Sequence, residues 1–147
     1  MTILVRKLEL EDREAWQILW KGYQEFYETN LDGVTDSLWE RLHADNPDGP
    51  FCLVAEKDGE LVGIVQYLFH ASTWSPKQRI YLNDLYTDPD TRGMGVGRAL
   101  IEAVYDEGRK HDCEQVYWLT QDFNEAGRRL YDKVAALTPF IKYTKSL

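Results

Sequence analysis

Arg92-Gly93-Met94-Gly95-Val96-Gly97-Arg98 is the stretch on which the reading of this 147-residue chain turns. Its three glycines alternate, so successive backbone N–H groups can face one concavity with no Cβ in the way. A helix follows, marked by the apolar face Leu100, Ile101, Val104 and Gly108 and ending near His111. The first N–H groups of such a helix lack intrahelical partners, and its dipole is positive there. Loop and helix start together make a seat for a phosphate or pyrophosphate, and Arg92 and Arg98 flank it with charge-assisted donors. A P-loop would end Gly-Lys-Ser/Thr, where this chain has Gly97-Arg98-Ala99. A dinucleotide fingerprint would carry its third glycine where Arg98 stands, and would sit in the first strand-to-helix turn rather than behind several earlier elements.

Outward from the loop, the pattern alternates strands and helices. Arg79 to Tyr86 reads as the strand before it, closed by the turn Thr87-Asp88-Pro89-Asp90. Phe51–Ala55 and Leu61–Phe69 read as a hairpin about Lys57-Asp58-Gly59-Glu60. Towards the N-terminus, residues 2–8 form a short strand. Trp16, Leu19, Trp20, Tyr23, Phe26 and Tyr27 mark one face of a helix, and a second helix runs from Thr35 to His43, capped by Thr35 or Asp36. Beyond the loop come a strand at Gln115–Thr120, a helix at Asn124–Val134 and a closing strand at Phe140–Tyr143. The order β-αα-βββ-α-β-α-β predicts an α/β (α+β) fold, a mixed central sheet of six to seven strands with helices on both faces, as one domain over residues 1–147.

Composition narrows the function. The net charge is −8, and residues 1–75 hold 6 Lys/Arg against 14 Asp/Glu, while residues 76–147 hold 11 of each. The acidic excess lies in the first half, which argues against nucleic acid as a partner and makes a cationic one plausible. No apolar run is long enough to span a membrane, and no basic stretch ahead of an apolar one marks a leader. Cys52 and Cys113 stand apart from any Cys/His cluster, so no metal site and a reducing, cytoplasmic setting are expected.

Arg92-x-x-Gly95-x-Gly97, opening a helix after a strand, resembles the acyl-CoA loop of the GCN5-related N-acetyltransferases. Tyr81-Leu82-Asn83-Asp84-Leu85-Tyr86-Thr87-Asp88 is similar to that family's central strand, and Asn124 with Leu130-Tyr131 and Lys133 to its second signature helix. The closest look is to bacterial relatives of the yeast histone/polyamine acetyltransferases. Two departures stand out: Gly127 where a small residue such as Ala is usual, and Val134-Ala135-Ala136-Leu137-Thr138-Pro139-Phe140 in place of Gly-Phe.

The resemblance implies acetyl transfer from acetyl-CoA, as co-substrate, to a primary amine of a small molecule or peptide, such as a cationic polyamine, an amino acid or lysine, by an enzyme that forms a homodimer. It implies that Leu85, Tyr86 and Thr87 hold the pantetheine arm through their backbone. Arg92, Gly93, Met94, Gly95, Val96, Gly97 and Arg98 would hold the pyrophosphate, Asn124 would touch the arm, and Tyr131 would be the general acid. A phenol is protonated at neutral pH, as such a role requires. A backbone N–H near Tyr86 suits the developing oxyanion. Asp84, two residues before Tyr86 and so on the same strand face, is the candidate base or water-relay base.

Each role has a plainer competitor. Tyr131 could be a core residue, Asp84 a partner of Arg79 or the cap of a turn, and Asn124 a helix cap. Trp16, Trp20, Tyr23 and Tyr27 read as core packing more than substrate wall, and Trp74 as a cover for the acceptor site or a subunit contact. The competing function is a CoA-binding sensor or assembly module without turnover.

Overall fold

The computed structural model describes residues 2–147. Five strands form one sheet in the order of the chain: β1 (Ile3–Lys7), β2 (Phe51–Lys57), β3 (Glu60–Ser72), β4 (Ser75–Thr87) and β5 (Gln115–Tyr117). The first four pair antiparallel and β5 joins β4 in parallel, so the sheet is mixed. Asp58 and Gly59 both take positive φ at the β2–β3 turn, as a two-residue hairpin requires.

Helices α1 (Arg13–Phe26) and α2 (Thr35–Leu42) cover one face, and α3 (Val96–Lys110) and α4 (Glu125–Val134) the other. Strand alternation divides the core accordingly. Val54 and Ile64 meet Trp16, Leu19 and Trp20 of α1, while Leu53, Val65, Ile80 and Leu82 meet Val96, Leu100, Ile101 and Val104 of α3. Gly63 lets α3 approach: a Cβ there would lie 2.9 Å from both Val96 Cγ1 and Leu100 Cδ1.

Several expectations need correction. The sheet has five strands rather than six or seven, because Phe140–Tyr143 forms no strand. Its alternation fits a strand, but it meets no sheet edge, and Phe140, Ile141 and Tyr143 stay largely exposed. β5 is cut to three residues, since its neighbour β4 diverges after Tyr81. β3 and β4 run past the expected ends at Phe69 and Arg79, so Ser72–Trp74 form the tip of their hairpin, with Arg79 lying over the Trp74 ring. Neither Thr35 nor Asp36 caps α2; Val34 stands at that position, and the Thr35 hydroxyl donates to the Leu31 carbonyl and accepts from the Trp20 indole. Phe26 points outward, and Gln24 is buried in its stead, accepting from Leu31 N–H.

Candidate functional site

The site begins where the sheet opens. β4 and β5 pair only through Arg79–Tyr81 and Gln115–Tyr117 and then separate, so Leu82–Thr87 keep β3 on one side and no strand on the other. The backbone polar groups along that free edge need partners from elsewhere. A bulge accompanies the opening: Gln66 opposes Asp84 and Tyr67 opposes Leu82, leaving Asn83 as the extra residue. It turns Leu82 and Leu85 toward α3, while Tyr86 packs toward α1.

The glycine loop lies at the end of this edge. Gly93 and Gly95 take positive φ, and Gly95 is the N-cap residue of α3. The first backbone bond of the helix runs from Ala99 N–H to the Gly95 carbonyl, so Val96, Gly97 and Arg98 have N–H groups with no backbone acceptor among the described residues. Gly97 allows the convergence, since a Cβ there would meet Leu130 of α4 at 3.3 Å and Thr87 of β4 at 3.8 Å. Arg92 is exposed beside the loop, and Arg98 pairs with Glu102 at 3.1 Å in the open. The loop thus offers donors and positive charge to an anion.

Asn124 is the N-cap of α4. Its side chain accepts from Gly127 N–H at 3.2 Å and donates to the Thr120 hydroxyl at 3.0 Å. This explains Gly127, because a Cβ there would lie 2.5 Å from the Asn124 amide nitrogen.

Between the opened strands lies a cavity of about 260 Å³, lined among others by Tyr23, Tyr27, Tyr81, Asn83, Trp118 and Tyr131. Tyr131 packs edge-on against Trp118, and burial pushes its phenol up to about 12. Its hydroxyl makes no side-chain or backbone hydrogen bond among the described residues and remains available to a ligand.

Asp84 stands one layer behind the wall, where loss of water raises its pKa against the opposing effect of Tyr23, Gln66 and Asn83. Gln66 Nε2 donates to its Oδ2 at 2.8 Å, and Asn83 reaches Oδ1 at 3.4 Å. Arg79 pairs with Glu114 instead, so its pairing with Asp84 is not found.

The aromatic helix face divides by role. Trp16 and Trp20 are core, whereas Tyr23 and Tyr27, at the open end of the same face, line the cavity. Sequence reasoning passed over Gln66 and Asn83. The signal for Gln66 was one amide inside the apolar run Leu61–Phe69. Among the described residues no group of three His, Cys, Asp or Glu side chains is placed to hold a metal, and no helix is long and apolar enough to cross a membrane.

A free strand edge, a helix start with unpaired donors and a phenol on the wall between them frame a site open to an anionic ligand with an extended arm. The profile of the Acetyltransferase (GNAT) family matches residues 13–136, and the chain belongs to that family. Its fold is the GNAT α/β fold, and it is an acetyl-CoA-dependent N-acyltransferase. It is 33% identical to the D-amino-acid N-acetyltransferase HPA3 of Saccharomyces cerevisiae, over 98% of this chain and 91% of that protein. It is 36% identical to the thialysine N-epsilon-acetyltransferase of Bos taurus, over 75% of this chain and 70% of that protein. A crystal structure of a ribosomal-protein-alanine N-acetyltransferase from Brucella melitensis biovar Abortus 2308 superposes with a TM-score of 0.78 at 24% identity, covering 99% of this chain and all of the other.

Proposed function

We propose that this enzyme transfers the acetyl group directly to a primary amine of a cationic small molecule, of the amino-acid, lysine or polyamine type. The observation that carries the reading is the cavity at the β4–β5 opening, with the Tyr131 hydroxyl on one wall and Tyr23 and Asn83 in front of the Asp84 carboxylate on another. The similarity to enzymes named for D-amino acids and for a lysine analogue favours the amino-acid end of that range. So does Lys142, the one basic side chain lining the cavity among the described residues, which suits an acceptor with a carboxylate near its amine.

Acetyl-CoA supplies the activated acetyl group when bound. The loop from Arg92 to Arg98 fits its pyrophosphate, and the free edge at Leu85, Tyr86 and Thr87 fits the amide groups of its arm. Asn124 is committed to its cap, and the second lone pair of its side-chain oxygen is left to touch the arm. The acceptor arrives as ammonium, and Asp84 takes its proton by a relay through the wall at Tyr23. As the amine's C–N bond forms and the C–S bond breaks, a β4 edge N–H near Tyr86 stabilises charge on the carbonyl oxygen. Tyr131, protonated at neutral pH, gives its proton to the departing sulfur, and the second proton lost by the amine nitrogen restores the phenol.

Residues 1–147 are read as one N-acetyltransferase domain, supported by the single continuous sheet. Two unpaired cysteines support a reducing, cytoplasmic setting. A homodimer is proposed through the C-terminal segment, whose Leu137, Phe140, Ile141 and Tyr143 are each more than three-quarters exposed; the same segment on a second copy is a self-complementary partner. Sedimentation of the wild type and of Ile141→Asp tests this, with a monomeric wild type overturning it.

Thiol release with acetyl-CoA is to be followed against D- and L-amino acids, lysine, lysine peptides, polyamines and aminoglycosides. Release with an amino acid or a diamine is expected. Tight CoA binding without release for any amine would contradict the reading.

A further inference from the structure

Gln66 is an oddity of the core. It sits in the middle strand of the sheet, 1% exposed, with apolar Ile64 and Val65 before it and Tyr67 after it. Such an amide is tolerated only with its polar atoms paired. Both ends are paired, each to a group of a different kind. Trp16, wholly buried in α1, places its indole N–H on Gln66 Oε1 at 2.9 Å. On the other side Gln66 Nε2 donates to Asp84 Oδ2 at 2.8 Å, across the register pair Gln66–Asp84.

The direction of this chain is fixed by chemistry. An indole N–H is a donor only, so the amide end that meets Trp16 must be the oxygen. The NH₂ end is then forced toward Asp84. Gln66 cannot turn over to offer its oxygen to the carboxylate without leaving the Trp16 donor unpaired in the core. Oδ2 is thereby held by Gln66, while Oδ1 has the long 3.4 Å contact from Asn83, and the Tyr23 hydroxyl donates to the carboxylate from the cavity side.

We propose that Gln66, locked by Trp16, is a positioning residue that orients the Asp84 carboxylate and favours its ionised, proton-accepting form. The inference rests on Asp84 as the proton acceptor of the proposed reaction. Other titratable groups facing Asp84 are Tyr23 and Tyr27 from α1, Tyr81 from β4 and Cys52 from β2. All are raised above their ordinary values, chiefly by burial, so none changes charge in the acid range. Among the groups facing it, Asp84 is therefore the one that titrates in the acid limb, and its shift between variants on the same amine is read as its own.

The test is the pH profile of kcat/KM for the whole protein with its preferred amine, in the wild type, Gln66→Met, Gln66→Glu and Asp84→Asn. Loss of the donor in Gln66→Met moves the acid limb up by about one pH unit, so the rate below the limb drops roughly tenfold while the plateau is largely kept. Gln66→Glu, of nearly the same shape, retains the fold if Gln66→Met does not; its second carboxyl moves the limb further up. Trp16→Phe frees the amide to turn and moves the limb in the same direction by less. An unshifted limb in Gln66→Glu, with Asp84→Asn inactive, overturns the positioning role alone. An Asp84→Asn enzyme with wild-type activity overturns the assignment of Asp84 on which it rests.

Discussion

Replacing Asp84 by Asn is expected to move activity and stability in opposite directions. The carboxylate has lost most of its water, and the donors Gln66, Tyr23 and Asn83 return only part of what is lost, so its folded pKa lies above the ordinary carboxylate value. The native state therefore binds the Asp84 proton more tightly than the unfolded chain does. That contribution to stability is fully present below the unfolded pKa, near 4, and is lost as pH rises through the folded pKa. Each unit of elevation corresponds to about 1.4 kcal/mol. Asn keeps the shape, turns an oxygen to accept from Gln66 and has no charge to desolvate. The stability of Asp84→Asn relative to wild type should then rise between pH 4 and pH 8, while kcat falls about 10²- to 10⁴-fold, the usual worth of a general base. Urea unfolding at the two pH values isolates the titrating contribution, because every pH-independent effect of the substitution cancels between them. A relative stability that is flat or falls with pH would refute the burial argument, and unchanged kcat would refute the role.

Other perturbations separate the remaining parts. Tyr131→Phe should lower kcat about 10²-fold or more with CoA affinity unchanged by calorimetry, since only the proton donor is lost; equal activity removes the acid role. Gly63→Ala pushes a methyl to 2.9 Å from Val96 and Leu100, well inside the usual carbon–carbon contact of about 3.5–4.0 Å, in the first turns of α3. It should destabilise by about 1–3 kcal/mol and weaken CoA binding by lifting the helix start, both read by thermal shift with and without CoA. Arg6 binds Asp12 through two bonds at 2.8 and 2.9 Å and holds its carboxyl below the ordinary range. That stability is present above the unfolded pKa and lost as pH falls through the folded one. Arg6→Leu should therefore cost about 2 kcal/mol at neutral pH and flatten the acid limb of the unfolding curve.

Much of the fold was legible because its signals are local. Asp58-Gly59 marked the hairpin, the spacing of Trp16, Leu19 and Trp20 marked α1, and the alternating glycines marked the start of α3. The Phe140–Tyr143 expectation failed because a strand needs an edge to pair with, and a segment's own alternation does not say whether one is within reach. The same limit applies to the site. A helical face says which side chains turn inward, not whether they meet a packed sheet, as Trp16 does, or an opening in it, as Tyr23 and Tyr27 do. The contact between Trp16 and Gln66 spans 50 positions, and no spacing rule reaches across it. The acidic first half favours the proposed cationic acceptor, and Lys142 at the cavity is a basic group that the net charge does not reveal.

The central claim is direct transfer of one acetyl group from CoA to an amine in the cavity where β4 leaves β5. The most direct measurement is mass analysis of the acceptors after incubation with acetyl-CoA and an equimolar mixture of amino acids, lysine and polyamines, beside the CoA thiol released. One amine acetylated on nitrogen for every thiol released, both lowered together about 10²-fold or more in Tyr131→Phe, is the predicted result. Thiol release with no acetylated amine, or acetylated amine formed equally by wild type and Tyr131→Phe, would contradict the account.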